Sequence, residues 1–236
     1  MKKLNFTILV ACVTLLAASC KKENSGNISV ATGTVNVVNA VVGGSTITLL
    51  NTTVISSNNT VGSNASAFFP FANTQNSVIL GVPAVPATPT SAVIPQVTYI
   101  NQALTDNTSN YSLFLTGTSP SAVESVLIKE SYQRTLADSV CAVRIINLAP
   151  GSNPISVNIK NNATGSEAAN IAYKAYSNFT QHPAKKVNPN YVFEFRDAAS
   201  GTLLTTYTLA TPYFHNVTLA LRKNGSGYGV ILNADY

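Results

Sequence analysis

The sequence predicts an all-β protein made of two antiparallel β-sandwiches in tandem, and three observations predict it. Charged residues make up only 10% of the 236. Val, Ile, Thr, Ser and Asn are plentiful; such branched side chains suit a pleated surface and are stiff in a helix. Short runs alternating apolar and polar residues recur, with turn residues every eight to twelve positions or so, as sandwiches require. The third observation is a repetition. Val143-Arg144-Ile145-Ile146-Asn147-Leu148 falls opposite Val35 to Ala40, with Asn147 on Asn39, and Ile155-Ser156-Val157 falls on Ile47-Thr48-Leu49 without a gap. A period of about a hundred residues is domain-sized, well above the solenoid range.

In the first copy, Gly33 to Ala40 reads as a strand and Thr46 to Leu50 as the next. Tyr111 to Gly117 and Glu124 to Glu130 close that copy. Its middle differs from the second copy. Gly81 to Pro95 carries prolines three apart at Pro83, Pro86 and Pro89, which no central strand accepts, so an extended edge or loop is expected where the second copy has a hairpin. The second copy alternates Ile155, Val157 and Ile159 with Ser156, Asn158 and Lys160, the period of a half-buried strand. Short strands are expected at Ile171 to Tyr173 and Tyr176 to Thr180. Tyr191, Phe193 and Phe195 then alternate with polar residues into Asp197-Ala198-Ala199-Ser200-Gly201, a hairpin turn, and Thr202 to Leu209 returns. Val217 to Leu221 turns at Asn224-Gly225 into Tyr228 to Leu232.

Ahead of the strands, Met1-Lys2-Lys3 is a positive start and Phe6 to Ala18 an apolar run. That run is shorter than the roughly twenty residues a bilayer span needs, and it fits a signal segment. Leu15-Leu16-Ala17-Ala18-Ser19-Cys20 resembles the lipobox of bacterial lipoproteins, with Leu16 one place ahead of the usual leucine and Ala17 in its position. The resemblance implies acylation of Cys20, which becomes the mature first residue; two acyl chains anchor stably where one is marginal. Residues 1–19 are therefore expected to be a signal peptide and 20–32 a lipidated, polar tether. The expected location is the bacterial cell envelope, at the outer membrane. Lys21-Lys22-Glu23-Asn24, with its single acid, leaves both faces of that membrane open.

The chemistry sought in the chain is sparse. Its 14 basic and 9 acidic residues are scattered and form no basic stripe, so nucleic acid is not an expected partner. Cys12 leaves with the signal and Cys20 takes lipid, so Cys141 stands alone, as a buried strand residue without a disulfide. His182 and His215 have no ligand at metal spacing, and neither a nucleophile elbow, a Walker loop nor a calcium loop is present. Glu194 and Asp197 lie three apart on a hairpin, and nothing in the sequence points to the cleft that paired-carboxylate chemistry needs. No catalytic residue, metal site or cofactor is expected. With no Trp for sugar stacking, the one dense aromatic run is Phe68-Phe69-Pro70-Phe71. It reads as a plug for the first core or, more sharply, as a partner-binding patch of Phe68, Phe69 and Phe71. Asp138-Ser139-Val140 resembles a short bacterial O-glycosylation motif, which makes Ser139 a candidate glycan site.

The second copy carries a wider resemblance. Val143 to Pro150, then Ile155-Ser156-Val157, then Phe195-Arg196-Asp197-Ala198-Ala199-Ser200-Gly201-Thr202 resemble the domain of unknown function numbered 4397. That family is found in bacterial secreted proteins and lipoproteins, often in tandem. The resemblance implies immunoglobulin-like sandwiches and no activity. The first copy shares the opening strands and Tyr-x-Leu-x-Leu-x-Gly, but has Asn36 where the family has Arg. The expected organisation is a sandwich at 33–131, a linker at 132–140 and a second sandwich at 141–236. The expected function is that of a membrane-anchored envelope lipoprotein, a non-catalytic structural or binding module for a partner protein or glycan. The alternative is an envelope hydrolase whose site is assembled from scattered residues. Oligomeric state is not encoded in any motif.

Overall fold

The computed structural model describes residues 31–44, 46–51, 59–72, 76–84, 95–106, 108–131, 140–184, 190–210 and 216–235. Those residues contain strands and no helix. The first half holds β1 (Ala31–Asn39), β2 (Ile47–Leu49), β3 (Thr60–Val61), β4 (Ser66–Ala72), β5 (Ser77–Val82), β6 (Val97–Ala103), β7 (Asn110–Gly117) and β8 (Val123–Glu130). The second half holds β9 (Val140–Leu148), β10 (Ile155–Ile159), β11 (Ala168–Ile171), β12 (Thr180–Pro183), β13 (Tyr191–Asp197), β14 (Leu203–Leu209), β15 (Asn216–Asn224) and β16 (Gly227–Asp235).

These strands form four four-stranded sheets, ordered β4-β1-β7-β8, β3-β2-β5-β6, β12-β9-β15-β16 and β11-β10-β13-β14. Each order in the second half repeats one in the first, strand for strand. The duplication visible in the sequence is thus a duplication of wiring. Pairing is antiparallel apart from one parallel pair per sandwich, β1 beside β7 and β9 beside β15.

Inward-facing apolar side chains close each sandwich. Val35, Val37, Ile47, Leu49, Phe69, Phe71, Leu80 and Leu113 are among those filling the first core. Val143, Ile145, Ile155, Val157, Phe193, Phe195 and Leu219 are among those filling the second. A third apolar cluster lies between the sandwiches. Val38, Ala40, Phe114 and Ile128 of the first meet Ile146, Leu148, Ala220 and Ile231 of the second. The sheets that face this seam are buried on both sides, which is why β7, β9 and much of β15 show no alternation of burial. Strands covered on both faces read as continuous apolar runs. Residues 31 to 236 accordingly form one compact unit.

The corner after the first strand of each sandwich is built twice from the same parts. Asn39 Oδ1 accepts from the Val41 N–H at 3.3 Å, and Asn147 Oδ1 accepts from the Ala149 N–H at 3.1 Å. The Gly44 N–H donates to the Val41 carbonyl at 3.1 Å and the Ser152 N–H to the Ala149 carbonyl at 3.2 Å. Gly43 and Gly151, at corresponding positions, have φ of 65° and 71°, a left-handed backbone that glycine adopts without a steric penalty. The shared Asn is therefore a structural acceptor, fully buried in both copies.

Two expectations about strands need correction. The first sandwich keeps its hairpin: β5 and β6 pair from Ser77↔Ala103 to Val82↔Val97, so the proline-rich stretch interrupts the hairpin instead of replacing it. Residues 85–94 lie outside the described set. In the second sandwich, the strands expected at 171–173 and 176–180 fall at β11 and β12. A turn separates them, closed by the Ala175 N–H on the Ala172 carbonyl at 3.0 Å with Lys174 at φ 65°. Tyr176 makes only an isolated bridge to Ile146.

Candidate functional site at the seam

Strand register decides what reaches the seam. Arg144 sits on β9 between Val143 and Ile145, which face the second core, so its own side chain points to the first sandwich. There the guanidinium grips Glu130 at the end of β8 with both arms, Nη1 to Oε2 at 3.0 Å and Nη2 to Oε1 at 2.6 Å. Nε donates to Thr218 Oγ1 at 3.1 Å. The two charged side chains are only 4% and 3% exposed. Phe179 covers the guanidinium, its ring centre 4.6 Å away, with Tyr176 and Phe114 at 5.9 and 5.8 Å. Planar Arg suits such a buried fork and stacks on rings, which Lys does not.

Further polar contacts cross the seam. Thr116 Oγ1 donates to the Leu148 carbonyl at 2.7 Å. Tyr173 OH donates to Glu124 Oε1 at 3.1 Å, and Lys174 Nζ pairs with the same carboxylate. These donors hold the Glu124 carboxyl below its ordinary value, the lysine contact first.

Two clefts open along the seam. One, of about 200 Å³, lies over the ion pair and is lined by Ile128, Lys129, Glu130, Tyr176, Asn178 and Phe179 among others. The other, of about 270 Å³, is lined by Asn36, Ser66, Ala67, Phe68, Leu232 and Ala234. Asn36 and Arg144 correspond in the repeat. Asn36 has Phe68 as its cross-strand partner, as Arg144 has Phe179 over it. At Asn36 the cross-seam contact is weak, Nδ2 to the Ala234 carbonyl at 3.4 Å. Of the five large apolar side chains exposed among the described residues, three lie at these mouths, Phe68 at 44%, Leu232 at 38% and Tyr176 at 46%, while Val97 and Leu203 lie elsewhere.

The structure divides the aromatic candidates. Phe69 and Phe71 are 1% and 2% exposed and belong to the first core, so no partner can reach them. Alternation along β4 leaves Phe68 as the member that faces out. Cys20, Ser139 and His215 lie outside the described residues. Cys141 is fully buried, and burial pushes its thiol up to about 11, which suits packing and not nucleophilic attack.

His182 belongs to a strand. It lies on β12 opposite Cys141, is 7% exposed, and places Nε2 3.1 Å from Glu167 Oε2, off the direction of a hydrogen bond. Tyr191 and Phe193 enclose its ring, with centroids at 5.4 and 5.9 Å. Among the described residues no group of three or more His, Cys, Asp or Glu side chains is placed to hold a metal. Glu194 and Asp197 are not brought together: Glu194 bonds Arg196 and Asn158, while Asp197 caps its own turn. Sequence reasoning missed Glu130, Tyr176 and Phe179; the signal available was the apolar stretch on both sides of Arg144, which lacks period-two alternation and marks a strand buried on both faces.

No protein-family model matches the chain. No curated protein matches it either. Among solved structures, it is similar to the family 26 carbohydrate-binding module of Amy13K from Eubacterium rectale, solved with maltoheptaose. The identity is 11%, with 84% of this chain and 95% of the other covered, and the TM-score is 0.29. A superposition that loose places no residue of this chain on the ligand of the other.

Proposed function

We propose that the chain is a lipid-anchored, non-catalytic module of the bacterial envelope that holds a partner, protein or glycan, at its seam clefts. One observation carries this reading: exposed large apolar side chains gather at the mouths of the two clefts, Phe68 and Leu232 at one and Tyr176 at the other. Amphipathic and aromatic side chains beside polar groups are the usual anchors of a recognition surface. The polar chemistry elsewhere is engaged in holding the body together, in Arg144–Glu130, the two corner asparagines and the Asp197 turn. The lipobox supports a tether of about ten residues between Cys20 and β1. The motif of β9, β10 and the β13–β14 turn supports placing the second sandwich with the domain of unknown function numbered 4397.

The test is capture from the native envelope by crosslinking. The wild-type chain is expected to retain a defined partner, which Phe68→Ser with Leu232→Ser, or Tyr176→Ser, releases while the fold persists. Capture unchanged by both sets of substitutions would remove the clefts from the proposal. Turnover of esters, peptides or glycans by the purified body in a broad substrate screen would instead favour the hydrolase reading. For the anchor, fatty-acid labelling is expected on the wild type and not on Cys20→Ser.

A further inference from the structure

Two kinds of contact join the sandwiches. The apolar seam supplies adhesion, but burial of apolar surface is non-directional. Val38, Phe114, Ile128, Ile146, Leu148 and Ile231 are aliphatic or aromatic side chains that can meet at more than one angle. The polar contacts are different in kind. The Arg144 fork meets both Glu130 oxygens, and Thr218 accepts from the third donor. A bidentate pair adds geometric specificity to its energy. Replacing such a buried pair by apolar side chains is often neutral for stability, so its best-attested use is to specify one arrangement. At the corresponding position of the first copy stands the uncharged Asn36, with a 3.4 Å contact to the Ala234 carbonyl. The fork therefore grips at one end of the seam. Glu124, bound by Tyr173 and Lys174, lies in an exposed setting where pairing is worth little.

We propose that the buried Arg144–Glu130 pair is an orientation latch: it sets how the second sandwich sits on the first and couples their unfolding into one transition. The apolar seam holds the sandwiches together, and the latch selects among the ways they can be held. A partner lying across the seam would then meet a fixed surface made by both halves.

The experiment uses the full chain. Calorimetry reports whether unfolding is one transition, and residual dipolar couplings report whether both sandwiches share one alignment tensor. The wild type is expected to show one transition and one tensor. Glu130→Gln is expected to split the transition in two. Arg144→Met combined with Glu130→Met is expected to keep a midpoint near that of the wild type while the halves require separate tensors. If either variant does not fold, Arg144→Lys, which keeps the charge and loses the fork, is expected to need two tensors. A single tensor in the double-Met variant, or in Arg144→Lys, would overturn the latch and assign orientation to the apolar seam. A single wild-type transition in Glu130→Gln would overturn the coupling.

Discussion

In the first sandwich, aromatic volume enters the core from the sheet next to the seam: Phe69 and Phe71 on β4 and Tyr111 on β7. In the second it enters from the outer sheet, through Phe193 and Phe195 on β13. Register makes the exchange explicit. Leu80, paired with Leu49, stands where the second copy has Phe195 paired with Val157. Gly33 opposite Phe71 stands where the second copy has Cys141 opposite His182. A Cβ on Gly33 would come within 2.5 Å of the Phe71 ring, so the large side chain requires the small one. The same backbone is filled from opposite sides. What the two copies share is strand order and corner geometry, and cores tolerate redistribution when volume and patterning are kept.

Truncating the two aromatic sources should produce the largest effects and test that exchange. Phe195→Ala and Phe71→Ala are each expected to cost about 3–5 kcal/mol, the usual range for a buried Phe. Urea denaturation gives the total, and hydrogen exchange shows where protection falls first. The expectation is β10 and β13 for Phe195→Ala, and β1 and β4 for Phe71→Ala. Equal loss across all four sheets in both variants would mean that the two cores do not have separate identities.

The corner asparagines come next, and they should behave alike. Removing the side chain leaves a buried N–H without its acceptor, at a cost of about 1–3 kcal/mol. Asn147 Nδ2 bonds Ser152 Oγ at 3.0 Å and the Ile171 carbonyl at 3.2 Å, and Asn39 Nδ2 reaches the Gly62 carbonyl at 3.3 Å. Thermal midpoints of Asn147→Ala and Asn39→Ala are expected to fall by similar amounts, and a loss confined to one of them would show that the corners are not equivalent.

The sequence shows these corners because they are local: an Asn, a Gly and a strand repeat in line, with no long-range partner needed to see them. The hairpins β13–β14 and β15–β16 are legible for the same reason, through period-two alternation and turn residues. The seam is not local. Glu130 and Arg144 sit on either side of the connection at 131–139, and nothing in either residue's neighbourhood announces the other. The mostly apolar stretches of β7 and β9, without a strict period-two alternation, are the visible sign of double burial, but they do not say what covers the second face. Of the candidate site, Phe68 was legible as part of an aromatic run. That Phe69 and Phe71 would turn inward follows only once β4 is known to be a strand.

Cys141 sharpens the comparison at a single position, because the first copy has no side chain there. Burial pushes the thiol to about 11, so it is protonated and enclosed at neutral pH. Ellman's reagent is expected to leave Cys141 unmodified in the folded chain and to modify it fully in denaturant. Reaction of the native protein at the denatured rate would place Cys141 at an open surface and remove it from the second core.

The smallest effect expected is confined to one turn. Asp197 caps the β13–β14 hairpin, accepting from the Ser200 N–H at 2.8 Å, the Ala199 N–H at 3.0 Å and Asn153 Nδ2 at 2.8 Å. The Ser200 backbone contact, then the Asn153 and Ser200 side chains, lower its carboxyl to about 2. A carboxyl depressed on folding contributes stability above its unfolded value, and that contribution is lost as pH falls through the folded one. The turn should therefore be intact at pH 5 and loosen between about pH 4 and pH 2, with the rest of the second sandwich unchanged at first. Amide shifts of Ala199 and Ser200 followed by NMR report it directly. In Asp197→Ala the pH dependence of those amides should vanish, and the turn should already be loose at pH 5. In the first sandwich the equivalent connection has no described carboxylate at this place. Beside Glu124, an acid-sensitive group there is Asp106, ahead of β7, held low chiefly by Lys129 and Ser109. Acid should thus open the two copies at different corners, the hairpin turn in the second and the approach to β7 in the first. Simultaneous loss at both, with one midpoint, would show that the whole body responds as a unit before either turn does.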